Sequence, residues 1–193
     1  MKTTQLRLAL IVGSTRTGRF GPTVAGWFAD RVRDHTAFDV EVIDLADLRL
    51  PPALPAFGAD PGPLAEELGS RLARADAFTV VTPEYNHSFP APLKDVIDRF
   101  RTPWHAKPVG FVSYGGMSGG LRAVEQLRLV FAELHAVTVR DQVSFHNVWE
   151  CFDTEGRPHH PSAAETAAKQ LLDQLAWWGR VLHTARTTHP YTA

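Results

Sequence analysis

The run Leu6-Arg7-Leu8-Ala9-Leu10-Ile11-Val12, stopped by Gly13-Ser14-Thr15-Arg16-Thr17-Gly18-Arg19-Phe20-Gly21, decides the fold. A short apolar run ended by turn-forming residues reads as a strand buried on both faces. From 22 to 33 the apolar residues Val24, Ala25, Phe28, Ala29 and Val32 recur at spacings of three and four, which predicts an amphipathic helix. Pro22 falls in its first turn, where the missing N–H is no loss. Strand, polar turn and helix make the opening unit of a parallel α/β sheet.

The pattern recurs downstream. A second strand is expected over 38–43, a third over 77–82 and halted at Pro83, a fourth over 109–113, and a fifth near 137–143. Between them Leu64, Leu68 and Leu72, then Leu93, Val96, Ile97 and Phe100, then Val124, Leu127, Phe131 and Leu134, repeat at helical spacing. A last helix carries Leu171, Leu172, Leu175, Trp178 and Leu182. The stretch 44–63 holds prolines at 51, 52, 55, 61 and 63 and is expected to be a surface excursion. Five apolar strands separated by helices predict a doubly wound, flavodoxin-like five-stranded parallel sheet of order 2-1-3-4-5, with helices on both faces. The chain is expected to be one domain over 1–186, followed by a flexible tail over 187–193.

Charge and cysteine content narrow the function classes. Lysine and arginine total 20 against 21 acidic residues, so the positive excess that phosphate-backbone binding needs is missing and no nucleic-acid partner is expected. No apolar run is long enough to span a bilayer, and the first ten residues lack the features of a signal peptide, so a cytoplasmic protein with no membrane partner is expected. The one cysteine, Cys151, is assigned no role, and neither is a metal, since His159 and His160 are adjacent in a polar loop without further spaced ligands.

In a 2-1-3-4-5 sheet the turns after strands one, three and four share one edge, the place where ligands bind in open α/β sheets. The turn 13–21 suits a terminal monophosphate. Hydroxyls of Ser14 and Thr17, the guanidinium groups of Arg16 and Arg19, and free amides at a helix N-terminus can surround a dianion, while the glycines admit close backbone approach. Alone, such a turn is also what an ordinary strand-to-helix connection uses. The second turn, Pro83-Glu84-Tyr85-Asn86-His87-Ser88-Phe89-Pro90-Ala91-Pro92, is stiffened by proline on both sides and can grip a planar heteroaromatic ring by face and edge. The third, Tyr114-Gly115-Gly116-Met117-Ser118-Gly119-Gly120, is a tight glycine loop.

These three motifs together resemble the NADPH-dependent FMN reductase family, which includes azo, quinone and chromate reductases. The family pattern Gly-Ser-x-Arg stands here as Gly13 to Arg16. Pro-Glu-Tyr-Asn followed by Pro-x-x-Leu-Lys stands as Pro83 to Asn86 and Pro90 to Lys94, and the glycine loop as Ser113 to Gly120. The resemblance implies FMN and NADPH as cofactors. It places Ser14 and Arg16, with Thr17 and Arg19 beside them, at the FMN phosphate, and Phe20 and Gly21 on the ribityl side. Pro83, Glu84, Tyr85 and Asn86 would border the ring, with Ser113, Gly115 and Gly116 along its other edge. No catalytic side chain is expected, because the flavin carries the redox chemistry. Three positions depart from the family: Arg19 stands where serine is frequent, Gly21 where asparagine is frequent, and Asp95 where asparagine often follows the lysine.

The implied activity is hydride transfer from NAD(P)H through FMN to a small-molecule acceptor such as free flavin, a quinone or an azo compound, with ping-pong kinetics. A flavin-dependent monooxygenase is a further expected partner. A homo-oligomer, dimer or tetramer, is also expected, since Trp177 and Trp178 point to different sides of the last helix and only one can face inward. Two other readings stand beside this one. Gly116-Met117-Ser118-Gly119-Gly120 matches a nucleophile elbow, which would make Ser118 the nucleophile of a hydrolase, with Asp141 or Asp153 and one of His159, His160 or His183 as companions. A non-catalytic flavodoxin-like electron carrier is the third.

Overall fold

The computed structural model describes residues 5–51, 53–56 and 59–192. Its five strands are β1 (Leu6–Val12), β2 (Phe38–Asp44), β3 (Ala77–Pro83), β4 (Pro108–Tyr114) and β5 (Val137–Phe145). They form one sheet of order β2-β1-β3-β4-β5, parallel throughout. Five helices connect or follow them: α1 (Gly21–Asp34), α2 (Pro63–Arg74), α3 (Ala91–Arg99), α4 (Leu121–Glu133) and α5 (Pro161–Thr188). β3 and β4 are buried at every position, as the inner strands of a sheet covered on both sides must be.

The helices divide between the two faces. Val24, Phe28 and Val32 of α1 and Leu171, Leu172 and Leu175 of α5 pack with Leu8, Leu10 and Val12 on one side. Leu68 and Leu72 of α2, Leu93 and Ile97 of α3 and Leu127 and Phe131 of α4 pack with Ile11, Phe78 and Phe111 on the other. Most of these side chains are fully buried, and each contributes about 1.5–3 kcal/mol through the apolar area it hides from water.

Several boundaries lie beyond the positions expected from sequence. β4 continues to Tyr114 and β5 to Phe145, because Pro83 pairs with Tyr114 and Tyr114 with Phe145 in the parallel register. α3 ends at Arg99, so Phe100 is its cap rather than part of its face, and Phe100 packs against Gly69 of α2. Leu134 likewise caps α4. α5 runs to Thr188, past the boundary expected at 186, where His183 pairs with Asp76 and Arg186 donates to the Ala106 carbonyl. Beyond it the Tyr191 hydroxyl lies 2.7 Å from His135 Nδ1.

Each outer strand has an arginine laid against its backbone. Arg71 of α2 donates to the Val42 carbonyl of β2 and pairs with Glu41. On the opposite border the pairing of β5 with β4 slips between Val109 and Phe111, and Arg128 of α4 donates to the carbonyls of Val139 and Arg140 at that irregularity. No described helix is long and apolar enough to cross a membrane.

Candidate functional site

Because β1, β3 and β4 are neighbours, the turns that follow them meet at one edge of the sheet. The first turn is seated by Gly13, whose N–H donates to the Val81 carbonyl at 2.9 Å. A Cβ on Gly13 would lie 3.1 Å from Leu93 Cδ2, so the close approach of the two segments depends on glycine. Ser14 is fully buried, and its hydroxyl lies 2.7 Å from that of Tyr85, joining the first turn to the second. Arg16 and Thr17 are exposed. α1 begins with no side-chain cap and no acidic residue in its first turn, so its N-terminus presents free amides and positive potential to that space.

Arg19 and Phe20 are placed differently from the other residues of the turn. Arg19 pairs with Asp44 at the end of β2, Nη2 to Oδ2 at 2.6 Å, with both side chains mostly covered. Phe20 turns onto the apolar layer against Phe152, ring centroids 5.8 Å apart. Gly21 opens α1 directly beside Tyr114: an added Cβ would sit 3.0 Å from the Tyr114 hydroxyl and 3.1 Å from Val12 Cγ1. Tyr114 therefore fills the room that a larger residue at position 21 would need, which gives that departure from the family a physical reason. Burial holds the Tyr114 phenol well above its ordinary pKa, so it stays a neutral hydroxyl.

In the second turn Pro83 is buried at the end of β3, and the Glu84 N–H donates to the Tyr114 carbonyl. Tyr85 and Ser88 exchange backbone hydrogen bonds of 2.8 and 3.1 Å across Asn86 and His87, whose φ values are +50° and +71°. Two consecutive left-handed residues define a tight I′-like turn, for which asparagine at the first position is well suited. α4 clasps this turn through two residues one helical turn apart. Gln126 donates to the His87 carbonyl and accepts from the Ser88 hydroxyl, and Arg122 reaches His87 Nδ1 at 3.1 Å. Arg122 also pairs with Glu84 at 2.7 Å, and the Glu84 carboxylate, only 7% exposed, accepts from the Arg122 backbone N–H. Glu84 thus caps α4 and fixes the turn together.

The glycine loop closes the third side. The Ser113 hydroxyl donates to the Gly119 carbonyl at 2.8 Å, and Gly119 and Gly120 have φ of +59° and +85°. At Gly120 a Cβ would stand 2.7 Å from Ser113 Cβ. The loop is tied to the segment after β5, where Asn147 and Val148 donate to the carbonyls of Gly116 and Gly115. Met117 and Trp149 are exposed beside it.

Asp95, the third departure from the family, pairs with the buried Arg99 guanidinium at 3.0 Å, and Arg99 in turn donates to the carbonyls of Pro51 and Ala53. A carboxylate here anchors the proline-rich excursion onto α3.

Three of the companions that a hydrolase reading needs are engaged elsewhere. Asp141 binds Gln174 and Arg140, Asp153 binds Arg157, and His183 binds Asp76. Among the described residues no histidine hydrogen-bonds the Ser118 hydroxyl. Sequence reasoning missed Asp44, Arg122 and Gln126, and it took Tyr114 for the first residue of a loop. The strand order places the end of β2 beside the first turn, and the i, i+4 spacing of Arg122 and Gln126 marks a polar stripe on α4. Nothing local ties either to the site.

The family model for NADPH-dependent FMN reductases matches residues 6–150. The chain belongs to this family. Among members, an NAD(P)H-dependent FMN reductase of Schizosaccharomyces pombe is 40% identical over 120 residues, which cover 59% of this chain and 60% of that one. An NADPH:quinone oxidoreductase of Arabidopsis thaliana is 32% identical over 178 residues, 88% of each chain. The match spans 65% of the length of an NAD(P)H-dependent FMN reductase of Nectria sp, so the stretch shared with some family members is well short of their whole length. The structure of FerB, a flavoenzyme NAD(P)H:(acceptor) oxidoreductase of Paracoccus denitrificans, superposes with a TM-score of 0.72 at 21% identity, covering 91% of this chain and 97% of that one. That likeness establishes the flavodoxin-like fold.

Proposed function

We propose that the chain is an FMN-dependent NAD(P)H oxidoreductase that reduces a small acceptor, a quinone or free flavin being the best fit to the family and an azo compound a further candidate. The observation that carries this reading is the meeting of three turns at one sheet edge, clasped by the Ser14 to Tyr85 hydroxyl contact of 2.7 Å. The residues suit the cofactor end for end. The uncapped N-terminus of α1, the exposed Arg16 and the buried Tyr114 hydroxyl, which has no partner among the described residues, are donors suited to a phosphate monoester. Pro83 to Asn86 offer a rigid wall for the ring, and Gly115 and Gly116 offer backbone that a flat edge can approach closely.

Bound there, FMN would supply the two-electron chemistry, accepting hydride from the reduced nicotinamide and returning it to the acceptor. The protein's part is position and field. Ser14 and Tyr85 hold the first two turns together, Glu84 and Arg122 fix the second turn against α4, and donor and acceptor would dock in succession in one space beside the bound ring. That shared space implies ping-pong kinetics. We further propose a cytoplasmic homo-oligomer, in which Trp177, 58% exposed while Trp178 packs inward, lies at a contact between copies. Delivery of reduced flavin to a monooxygenase fits the same exchange chemistry.

The test is a titration of the purified protein with FMN, followed by initial rates of NADPH oxidation across a panel of quinones, flavins and azo dyes. Flavin fluorescence quenched on binding and parallel double-reciprocal lines are expected. A protein that takes up no FMN, or that binds it without oxidising NADPH, would remove the enzymatic reading and leave a carrier or a different ligand.

A further inference from the structure

Asp44 is where the arrangement departs from a simple anion pocket. Arg19 belongs to the phosphate-facing turn, yet its Nη2 is held by Asp44 at 2.6 Å, with side-chain exposures of 16% and 17%. Its Nε is buried without a partner among the described residues, and so is the Tyr114 hydroxyl, on a residue only 4% exposed. That hydroxyl stands over the first residue of α1, whose N-terminal amides also lack a side-chain cap. Three kinds of donor therefore crowd one turn: a guanidinium N–H, a phenol O–H and helix amides. Buried donors are rarely left unpaired, because each orphan has given up its hydrogen bond to water without gaining another. The Asp44 carboxylate satisfies only part of the set, one oxygen accepting from Arg19 and the other from the Ala46 N–H.

We propose that Asp44 is a built-in competitor for the FMN phosphate: it occupies Arg19, and a phosphate monoester must draw that guanidinium away from it to bind. The inference rests on the reading of this edge as an FMN site. Two effects then weaken binding of the phosphate end, namely the ion pair that has to open and the repulsion between a dianion and a nearby carboxylate. Neither touches the ring end of the site. The consequence is an FMN that exchanges readily instead of staying as a permanent prosthetic group, which suits a protein that hands reduced flavin to other acceptors.

Asp44→Asn tests this directly, since the amide keeps the shape and the oxygen that accepts from Ala46 while removing the charge. Dissociation constants for FMN and for riboflavin, which has no phosphate, are read by flavin fluorescence for wild type, Asp44→Asn and Arg19→Gln. We expect Asp44→Asn to bind FMN about tenfold more tightly, equivalent to about 1.4 kcal/mol, with riboflavin unchanged. Arg19→Gln, which leaves the carboxylate unopposed, is expected to bind FMN more weakly than wild type, again with riboflavin unchanged, so it reports independently if Asp44→Asn folds poorly. An Asp44→Asn protein with FMN affinity equal to or below wild type overturns the proposal, as does an equal gain for riboflavin. Wild type that binds neither flavin is a separate result, because it removes the FMN reading itself.

Discussion

Lys107 offers a sharp test of how this fold tolerates a buried charge. It sits just before β4 with its side chain inside the protein, 6% exposed, and its ammonium donates to the carbonyls of Leu72 and Ala73 at 3.1 and 2.8 Å. Those carbonyls end α2, where a cation is favoured by the unpaired C=O groups. Desolvation outweighs that gain: burial, with Arg186 nearby, pushes the Lys107 pKa down from 10.5 to about 8. At about 1.4 kcal/mol for each pH unit, the shift corresponds to about 3 kcal/mol. Below the folded pKa both folded and unfolded chains carry the proton and the cost is fully present. Between about 8 and 10.5 the folded chain has released the proton while the unfolded chain keeps it, so this group makes the protein more stable as pH rises. The perturbation is Lys107→Met, which fills a similar volume and does not titrate. Urea unfolding of both proteins at about pH 7 and about pH 10 should show the wild type gaining on the variant by about 2.5 kcal/mol, most of the full shift. A difference that stays flat or falls over that window would refute the desolvation argument.

Tyr85→Phe removes the hydroxyl that meets Ser14, and FMN affinity should drop by several-fold, about 1 kcal/mol, with an unchanged circular dichroism spectrum. Wild-type affinity would show that the contact does not order the site. Gly120→Ala places a Cβ 2.7 Å from Ser113 Cβ at a φ of +85°, so a loss of about 2 kcal/mol or more and a lowered melting temperature are expected, together with weaker flavin binding. An undisturbed melting curve would mean that the loop yields freely. Ser118→Ala should leave NADPH oxidation near the wild-type rate; abolished turnover with flavin still bound would bring the hydrolase reading back.

The strands and helices were legible because most are strongly patterned and several are bounded by glycine or proline, as β1 is by Gly13 and β3 by Pro83. Their order followed from the handedness of parallel crossovers, and the three turns then fell on one edge without further assumption. Boundaries were less legible where pairing with a neighbour extends a strand: polar Ser144 follows the expected end of β5 at 143, and only the pairing with β4 carries the strand on to Phe145. Phe100 has the right spacing for the α3 face, but the helix ends one residue earlier and its ring packs against Gly69 of α2 instead. At the site, the motif residues were found, but their commitments were not. Arg19 reads as a free cation in the turn, and only the position of β2 shows that Asp44 holds it. Gly21 reads as a flexible turn residue, whereas what matters is the Tyr114 hydroxyl above it, supplied by a strand more than ninety residues away. Such long-range choices leave no periodic trace.

The arginines set against the two outer strands restrict how copies of this chain can join. Arg71 occupies a carbonyl of β2, and Arg128 fills the irregular stretch of β5, so both rims of the sheet are poor templates for an added strand. Growth of the sheet from molecule to molecule, the route by which parallel α/β proteins would polymerise without limit, is thereby discouraged. Contact between copies is thereby directed away from the strand edges and toward helix surfaces.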